Sequence, residues 1–425
     1  MNLRESLVLN AGGLLASGFK ERASSFGAAG RDRLERLNFL LARARAGLPA
    51  YDAACGGPPG AAGLASVADL SKLPLLGRAD LSGYSGGGAL ARLESGGTGS
   101  SGRVETRLDF GAVAARYAAL LSALKETGWR MGEKTVAFHP VEYGYFRNLG
   151  AMAGAGQFGR MAFEFLQQYV LYRLVHNRKN LHYDRGVFSG GGAARALAES
   201  AASENPALII TRPDALMAVL KSLRGAPPPR FKALKAVLTV GTALGETVRR
   251  EARERLGVEV FNMYASTELG YVALSCRHSR GWLHADEAGH ILETGAGGSL
   301  ICTDLDNALM PLLRYDTGDI GELSARACPC GRSGPMLKVR GRGKSGIETA
   351  GGTIYEAELI DRVFPSDLPF FQLDASARRM ILPPECGEEK VSLIRTLLDL
   401  PAGSYGAARS ENFKISSSGK FSYLP

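Results

Sequence analysis

Glu94-Ser95-Gly96-Gly97-Thr98-Gly99-Ser100-Ser101-Gly102-Arg103 is the stretch on which the rest of the chain is read. Ten residues with four glycines, three serines and a threonine cannot build a packed element. Glycine reaches backbone angles closed to other residues, and the short hydroxyls add polar contacts without bulk. A loop so composed turns successive N–H groups into one concavity, a shape that suits a phosphate. It lacks the Gly-Lys-Ser/Thr ending of a P-loop. Taken alone, it is as readily a surface linker. Motifs further along the chain decide between the two.

A length of 425 residues exceeds one ordinary core, so two or more domains are expected. Hydrophobic residues make up 45% and charged residues 22%, the balance of a soluble globular protein. Lys plus Arg number 51 against 42 Asp plus Glu, a net charge of +9. That charge favours anionic partners such as ATP, coenzyme A or an acidic carrier protein. The basic residues are scattered, which argues against nucleic acid. No apolar run reaches membrane-spanning length. The N-terminal apolar region is broken by Glu5 and Asn10, unlike a signal peptide. Six cysteines in a chain this long are no disulfide framework, and a reducing cytoplasm is expected.

In chain order, residues 31–46 carry Leu34, Leu37, Leu40, Leu41 and Ala44 on one helical face, ended by Gly47 and Pro49. Leu70 to Pro74 and Arg78 to Leu81 read as a turn into a short helix, and residues 111–127 as an amphipathic helix. Residues 135–139 read as a buried strand, with His139, Tyr143, Tyr145 and Phe146 clustered at its end. Ligands of open α/β sheets bind at such strand ends, so His139, Tyr143 and Tyr145 are candidate substrate contacts. Residues 164–186 read as a helix followed by a loop. Strands are expected at 206–210, 234–240 and 259–264, with helices at 213–224 and 245–256. This alternation predicts an α/β chain with a mostly parallel, helix-covered sheet.

Three motifs give the glycine stretch its context. Tyr264-Ala265-Ser266-Thr267-Glu268 follows a strand; its tyrosine can stack on a purine and its glutamate can ligate Mg²⁺. Arg314-Tyr315-Asp316-Thr317-Gly318-Asp319 sets a carboxylate beside a glycine turn, suited to ribose hydroxyls. Ser416-Ser417-Ser418-Gly419-Lys420 puts a lysine on a short polar loop, a mobile cation for a departing phosphate. A separate signal lies in Cys276, His278, His284, Cys328 and Cys330. Three thiols and one imidazole suit a tetrahedral Zn²⁺, structural because four protein ligands leave no open position.

Together and in this order, these residues resemble the adenylate-forming superfamily of acyl- and aryl-coenzyme A ligases, within it the phenylacetate–coenzyme A ligase-like branch. Residues 94–99 are similar to its phosphate loop, Tyr264 to Glu268 to its Tyr-Gly-x-Thr/Ser-Glu, Tyr315 to Asp319 to its Tyr-Arg-Thr-Gly-Asp, and Gly341 to Ser345 to its hinge. The resemblance implies a large N-terminal adenylation domain over residues 1–341 and a small mobile α+β domain over residues 342–425. It implies Lys420 and Glu268 as catalytic residues and Lys344 as the hinge. Nucleotide contacts would come from Ser95, Gly96, Gly97, Thr98, Gly99, Gly241, Tyr264, Ser266, Thr267, Asp319 and Arg342. It favours His284 over His278, giving Cys276, His284, Cys328 and Cys330 as metal ligands. The implied activity joins a carboxylic acid to ATP as an acyl-adenylate and passes the acyl group to a thiol, coenzyme A first. A carrier protein or amine acceptor, a homodimer and a non-catalytic nucleotide-binding protein on the same fold stay open. Glu94, Gly97, Asp316 and Lys344 depart from the family's Ser, Thr, Arg and Asp at those positions, and Gly241-Thr242-Ala243 from its Gly-Ala-Glu.

Overall fold

The structure is a computed structural model. It describes the chain except residues 1–2, 16–18, 25–32, 48–50, 52–62, 82–83, 85–87, 95–103, 142–144, 155, 157, 159–160, 162–164, 166–171, 191, 402, 411 and 417. The chain divides into two compact units. One holds Met1–Gly132, Tyr145–His176 and Met263–Lys338; the other holds Glu133–Gly144, Asn177–Asn262 and Val339–Pro425. Among the described residues, no helix is long and apolar enough to cross a membrane.

In the first unit, β1 (Ala91–Glu94) and β2 (Glu105–Leu108) pair antiparallel, with Glu94 opposite Glu105. The glycine-rich stretch is the connection between these two strands; its Ser95, Gly96, Gly97, Thr98 and Gly99 lie outside the described residues. Helix Phe110–Glu126 follows, its first turn capped by Asp109, which accepts from Ala112 N at 2.8 Å. Helix Arg33–Gly47 buries Leu37, Leu40, Leu41 and Ala44 in a core with Leu70, Leu73, Leu76, Leu81, Met310, Leu312, Leu313 and Tyr315.

The strands of this unit are antiparallel. β7 (Glu259–Ser266) enters it at Met263 and pairs with β8 (Gly270–Leu274), with a bulge at Tyr264 and Ala265. Next in order come β9 (Leu283–Ala285), β13 (Met336–Arg342), β12 (Tyr315–Ser324), β11 (Ser299–Asp304) and β10 (His290–Thr294). The expected alternation of strand and helix ends at β7, because the links that follow are too short for a parallel crossover and favour antiparallel neighbours.

The second unit holds the parallel strands, in the order β4 (Arg178–Tyr183), β3 (Thr135–Pro140), β5 (Leu208–Thr211) and β6 (Ala236–Val240). Val136, Ala137 and Phe138, Leu208 and Ile209, and Ala236, Val237 and Leu238 are all buried. Such continuous apolar runs suit strands covered on both faces. Helix Pro213–Ser222 covers them with every residue from Pro213 to Leu220 buried. The loop expected up to residue 186 is corrected here: residues 178–183 form β4. It is an edge strand rich in charge and amide, Arg178-Lys179-Asn180, which hides the apolar pattern while guarding an open edge.

Residues beyond Val339 add the hairpin β14 (Ile347–Thr349) and β15 (Gly352–Ile354), helices Glu356–Val363 and Glu388–Leu398, and the sheet β16 (Gln372–Asp374), β17 (Arg379–Leu382) and β18 (Gly406–Arg409). Leu359, Ile360, Val363, Phe364, Phe370 and Phe421 share one core with Val136, Ile209, Leu216 and Val237.

Candidate active site and cysteine–histidine cluster

Tyr264 and Ser266 lie at the end of β7, and Thr267 and Glu268 on the turn that follows, all within the first unit. The Tyr264 hydroxyl donates to the Asp319 carboxylate at 2.6 Å. Burial pushes the Tyr264 phenol well above its usual range, and the negative charge of Asp319 adds to the effect, so the phenol stays a donor. Asp319 itself is buried and held in place by its own turn. Its N–H donates to Thr317 Oγ1 at 3.1 Å, and Gly318 N donates to Asp316 Oδ1 at 2.9 Å. Gly318 has φ +72°, the left-handed value that this turn needs.

Two residues beyond the end of β7, the Glu268 carboxylate is buried and faces the Arg78 guanidinium at 3.6 Å. Ser266 Oγ accepts from Leu269 N at 3.1 Å, which closes the Ser266–Leu269 turn. The carbonyls of this turn are held from behind. Arg116 donates to Thr267 O at 3.0 Å and to Glu268 O, and His290 Nε2 donates to Leu269 O at 3.0 Å. Arg116 is buried and lies 3.4 Å from the buried Asp304. Arg78, Arg116 and His290 escape sequence reasoning, because each pairs with a partner far away in the chain. Their only local signal is a charge among apolar neighbours.

In the second unit, Lys420 sits on a turn that is tied down, not frayed. Gly419 N donates to Ser416 O at 2.8 Å, Lys420 N to Ser416 Oγ at 2.9 Å, and Phe421 N to Asp214 Oδ2 at 2.9 Å. Gly241 follows β6 with φ +102°, and a side-chain carbon built on it would lie 3.8 Å from Lys420 Nζ. The lysine amine is therefore beside the carboxyl end of a parallel strand.

His139, the penultimate residue of β3, lies opposite His182 of β4, and its Nε2 takes a hydrogen bond from Arg178. Burial first, then the positive Arg178, pushes its pKa down to about 3, so the ring is a neutral acceptor. Tyr143 lies outside the described residues, and Tyr145 opens helix Tyr145–Gly154. Arg342 and Lys344 are exposed, at the end of β13 and in the short turn Gly343–Ser345 that follows.

Cys276, His284, Cys328 and Cys330 present ligand atoms that all lie within 4.8 Å of one another. Cys276 Sγ is 3.6 Å from Cys328 Sγ, and Cys330 Sγ is 3.3 Å from His284 Nε2. Ligands about 2.3 Å from one ion at tetrahedral angles stand about 3.8 Å apart, so the spacing fits such an ion. His278 joins only through its backbone, donating to Cys276 Sγ at 3.4 Å. Burial, aided by Arg332, pushes His284 down to about 4, leaving the neutral form that binds metal. Trp282 and Met336 cover the cluster with apolar surface.

No protein-family model matches the chain. A phenylacetate–coenzyme A ligase of Thermus thermophilus is 29% identical over 240 residues, which cover 47% of this chain and 52% of that protein. The match thus spans about half the length of that relative. A 2-hydroxyisobutyryl-CoA ligase, solved in the postadenylation state with 2-HIB-AMP, aligns over 94% of this chain and 90% of its own, with TM-score 0.66 and 16% identity. An anthranilate CoA ligase in complex with anthranoyl-AMP aligns over 77% of this chain and 65% of its own, with TM-score 0.51 and 15% identity. The chain thus has the fold of the adenylate-forming coenzyme A ligases, and over 47% of its length its sequence resembles a phenylacetate–coenzyme A ligase.

Proposed function

We propose that this protein activates a carboxylic acid with ATP and transfers the acyl group to coenzyme A. A carboxylate oxygen attacks the α-phosphorus, a new P–O bond forms, and pyrophosphate leaves with the electrons of the broken bond. The thiol sulfur of coenzyme A then attacks the acyl carbon, and AMP departs. In this reading Asp319 accepts the ribose hydroxyls, with Tyr264 fixing its carboxylate and stacking its ring on adenine. Gly241, Ser266, Thr267 and Arg342 add nucleotide contacts, and Ser95, Gly96, Gly97, Thr98 and Gly99 cradle the phosphates. Lys420 offsets the negative charge that develops during attack, which is electrostatic stabilisation at the reacting centre. Glu268 would hold Mg²⁺, which when bound spreads the charge of the phosphates; one buried carboxylate beside bound phosphates is a usual Mg²⁺ arrangement. His139, Tyr143 and Tyr145 line the acid side. Residues 342–425 would move about Lys344 between the two half-reactions, a gating motion common in enzymes.

Cys276, His284, Cys328 and Cys330 would hold a structural Zn²⁺, with no position open for chemistry. We place the reaction in the cytoplasm, which supplies ATP and coenzyme A.

The observation that carries the reading is the part-buried Tyr264–Asp319 pair, on a fold whose relatives have been solved with acyl adenylates bound. A panel of acids mixed with protein, Mg²⁺ and ATP tests it by pyrophosphate release. Release that depends on one acid class supports the reading, and leaving out coenzyme A, a carrier protein or an amine in turn identifies the acceptor. ATP binding without release for any acid would instead mean a non-catalytic nucleotide-binding protein.

A further inference from the structure

Two of the contacts that fasten the lysine-bearing tail have different consequences. Arg212, at the junction of β5 and helix Pro213–Ser222, turns its guanidinium onto the tail. It donates to Ser418 O at 3.0 Å and to Gly419 O, and its Nε donates to Asp214 Oδ1 at 3.1 Å. Asp214 is buried and accepts from Phe421 N at 2.9 Å. The Phe421 ring stacks on Phe188, with centroids 5.0 Å apart. Arg212, Asp214 and Phe188 all belong to the parallel-sheet part of the unit, Asn177–Asn262. The second fastening is Glu356, whose carboxylate takes hydrogen bonds from Ser422 Oγ and, at 2.8 Å, from Tyr423 N. Glu356 lies in the same stretch, Val339–Pro425, as the tail it holds.

Glu356 therefore keeps the tail folded onto its own stretch, whereas Arg212 and Asp214 tie the Lys420 turn to the parallel strands. The target of the tie is backbone carbonyls and one N–H, so it fixes where the turn sits whatever the side chain of Ser418 is. Gly419, at φ +72°, then sets the direction in which Lys420 leaves the turn.

We propose that Arg212 and Asp214 are positioning residues that latch the Lys420 turn for acyl-adenylate formation and are dispensable for thioester formation. The inference rests on the acid-ligase reading above, in which only the first half-reaction uses Lys420. A guanidinium fork reaching two adjacent carbonyls is a rigid hold that a single ammonium cannot reproduce.

The test uses the full chain with Arg212→Ala, Arg212→Lys and Asp214→Asn. Three quantities are read: acid-dependent exchange of pyrophosphate into ATP, thioester formation from added acyl-adenylate and coenzyme A, and deuterium uptake by amides 416–421. A displaced catalytic group costs on the order of a hundredfold in rate, so Arg212→Ala should lower exchange by about that factor. Thioester formation from the preformed adenylate should be unchanged, and uptake at Gly419 to Phe421 should rise. Arg212→Lys should recover part of the exchange, and Asp214→Asn should lie between wild type and Arg212→Ala. Equal losses in both half-reactions, or unchanged uptake in Arg212→Ala, would overturn the latch. Absence of exchange in the wild type with every acid would sink the ligase reading instead. The uptake measurement then still decides whether Arg212 pins the turn.

Discussion

The Tyr264 hydroxyl donates to the Asp319 carboxylate across 2.6 Å, joining β7 to β12 through a part-buried, charge-assisted hydrogen bond. Tyr264→Phe removes the donor and keeps the ring. Hydrogen bonds to a charged partner contribute about 1.5–3 kcal/mol, so thermal or urea unfolding should report a loss of that order. The KM for ATP should rise more than the KM for the acid, because the carboxylate that meets the ribose loses its orientation. An equal rise in both would place the pair away from the nucleotide.

Lys420→Ala should lower acid-dependent pyrophosphate exchange by orders of magnitude while ATP still binds, measured by calorimetry. The turn that carries it is held through Ser416, Arg212 and Asp214, so removal of the side chain leaves its backbone anchors in place. Undiminished exchange would remove Lys420 from the chemistry.

The cysteine–histidine cluster makes a separate prediction. Elemental analysis of the purified chain should give about one zinc per chain, and Cys328→Ser should lose it along with stability, since metal binding by such sites is folding free energy. Chelation should lower the melting temperature without altering the acid preference of whatever activity remains. A metal-free wild type of undiminished stability would contradict the assignment.

Glu356 gives a pH dependence with a definite sign. Burial raises its carboxyl to about 7, opposed by the hydrogen bonds from Ser422 and Tyr423 N. The folded state therefore holds a proton between about 4.5 and 7 that the unfolded state releases. Its contribution to stability is complete below the unfolded value and is lost as pH rises through 7. A shift of this size corresponds to at most about 3 kcal/mol. Glu356→Gln should flatten the fall of unfolding free energy over this range and make the variant comparatively more stable at pH 8. The same slope in wild type and variant would assign the dependence to another group.

The parallel half of the fold was legible because its strands are unbroken apolar runs, Leu208-Ile209-Ile210 and Ala236-Val237-Leu238, separated by helical patterns. Asp109 and Gly128 bracket a helix, Phe110–Glu126, that was expected within one residue at either end. β4 was illegible, because Arg178, Lys179 and Asn180 answer to an exposed edge and not to a core. The cysteine–histidine group stood out from residue chemistry, since soft donors are rare, but the choice of His284 over His278 came from the family resemblance. The support of Glu268 could not: Arg78, Arg116 and His290 come from three separate parts of the chain, and nothing local ties them to the turn they hold. Nor could the grip of Arg212 on the tail, 206 residues away.

The claim at the centre is that the acid's own oxygen joins the α-phosphorus of ATP. An acid labelled with ¹⁸O in its carboxyl group, turned over with ATP and coenzyme A, decides it by mass spectrometry of the nucleotide product. AMP should carry one labelled oxygen and pyrophosphate none. Label in inorganic phosphate or pyrophosphate, or unlabelled AMP formed alongside the thioester, would contradict it.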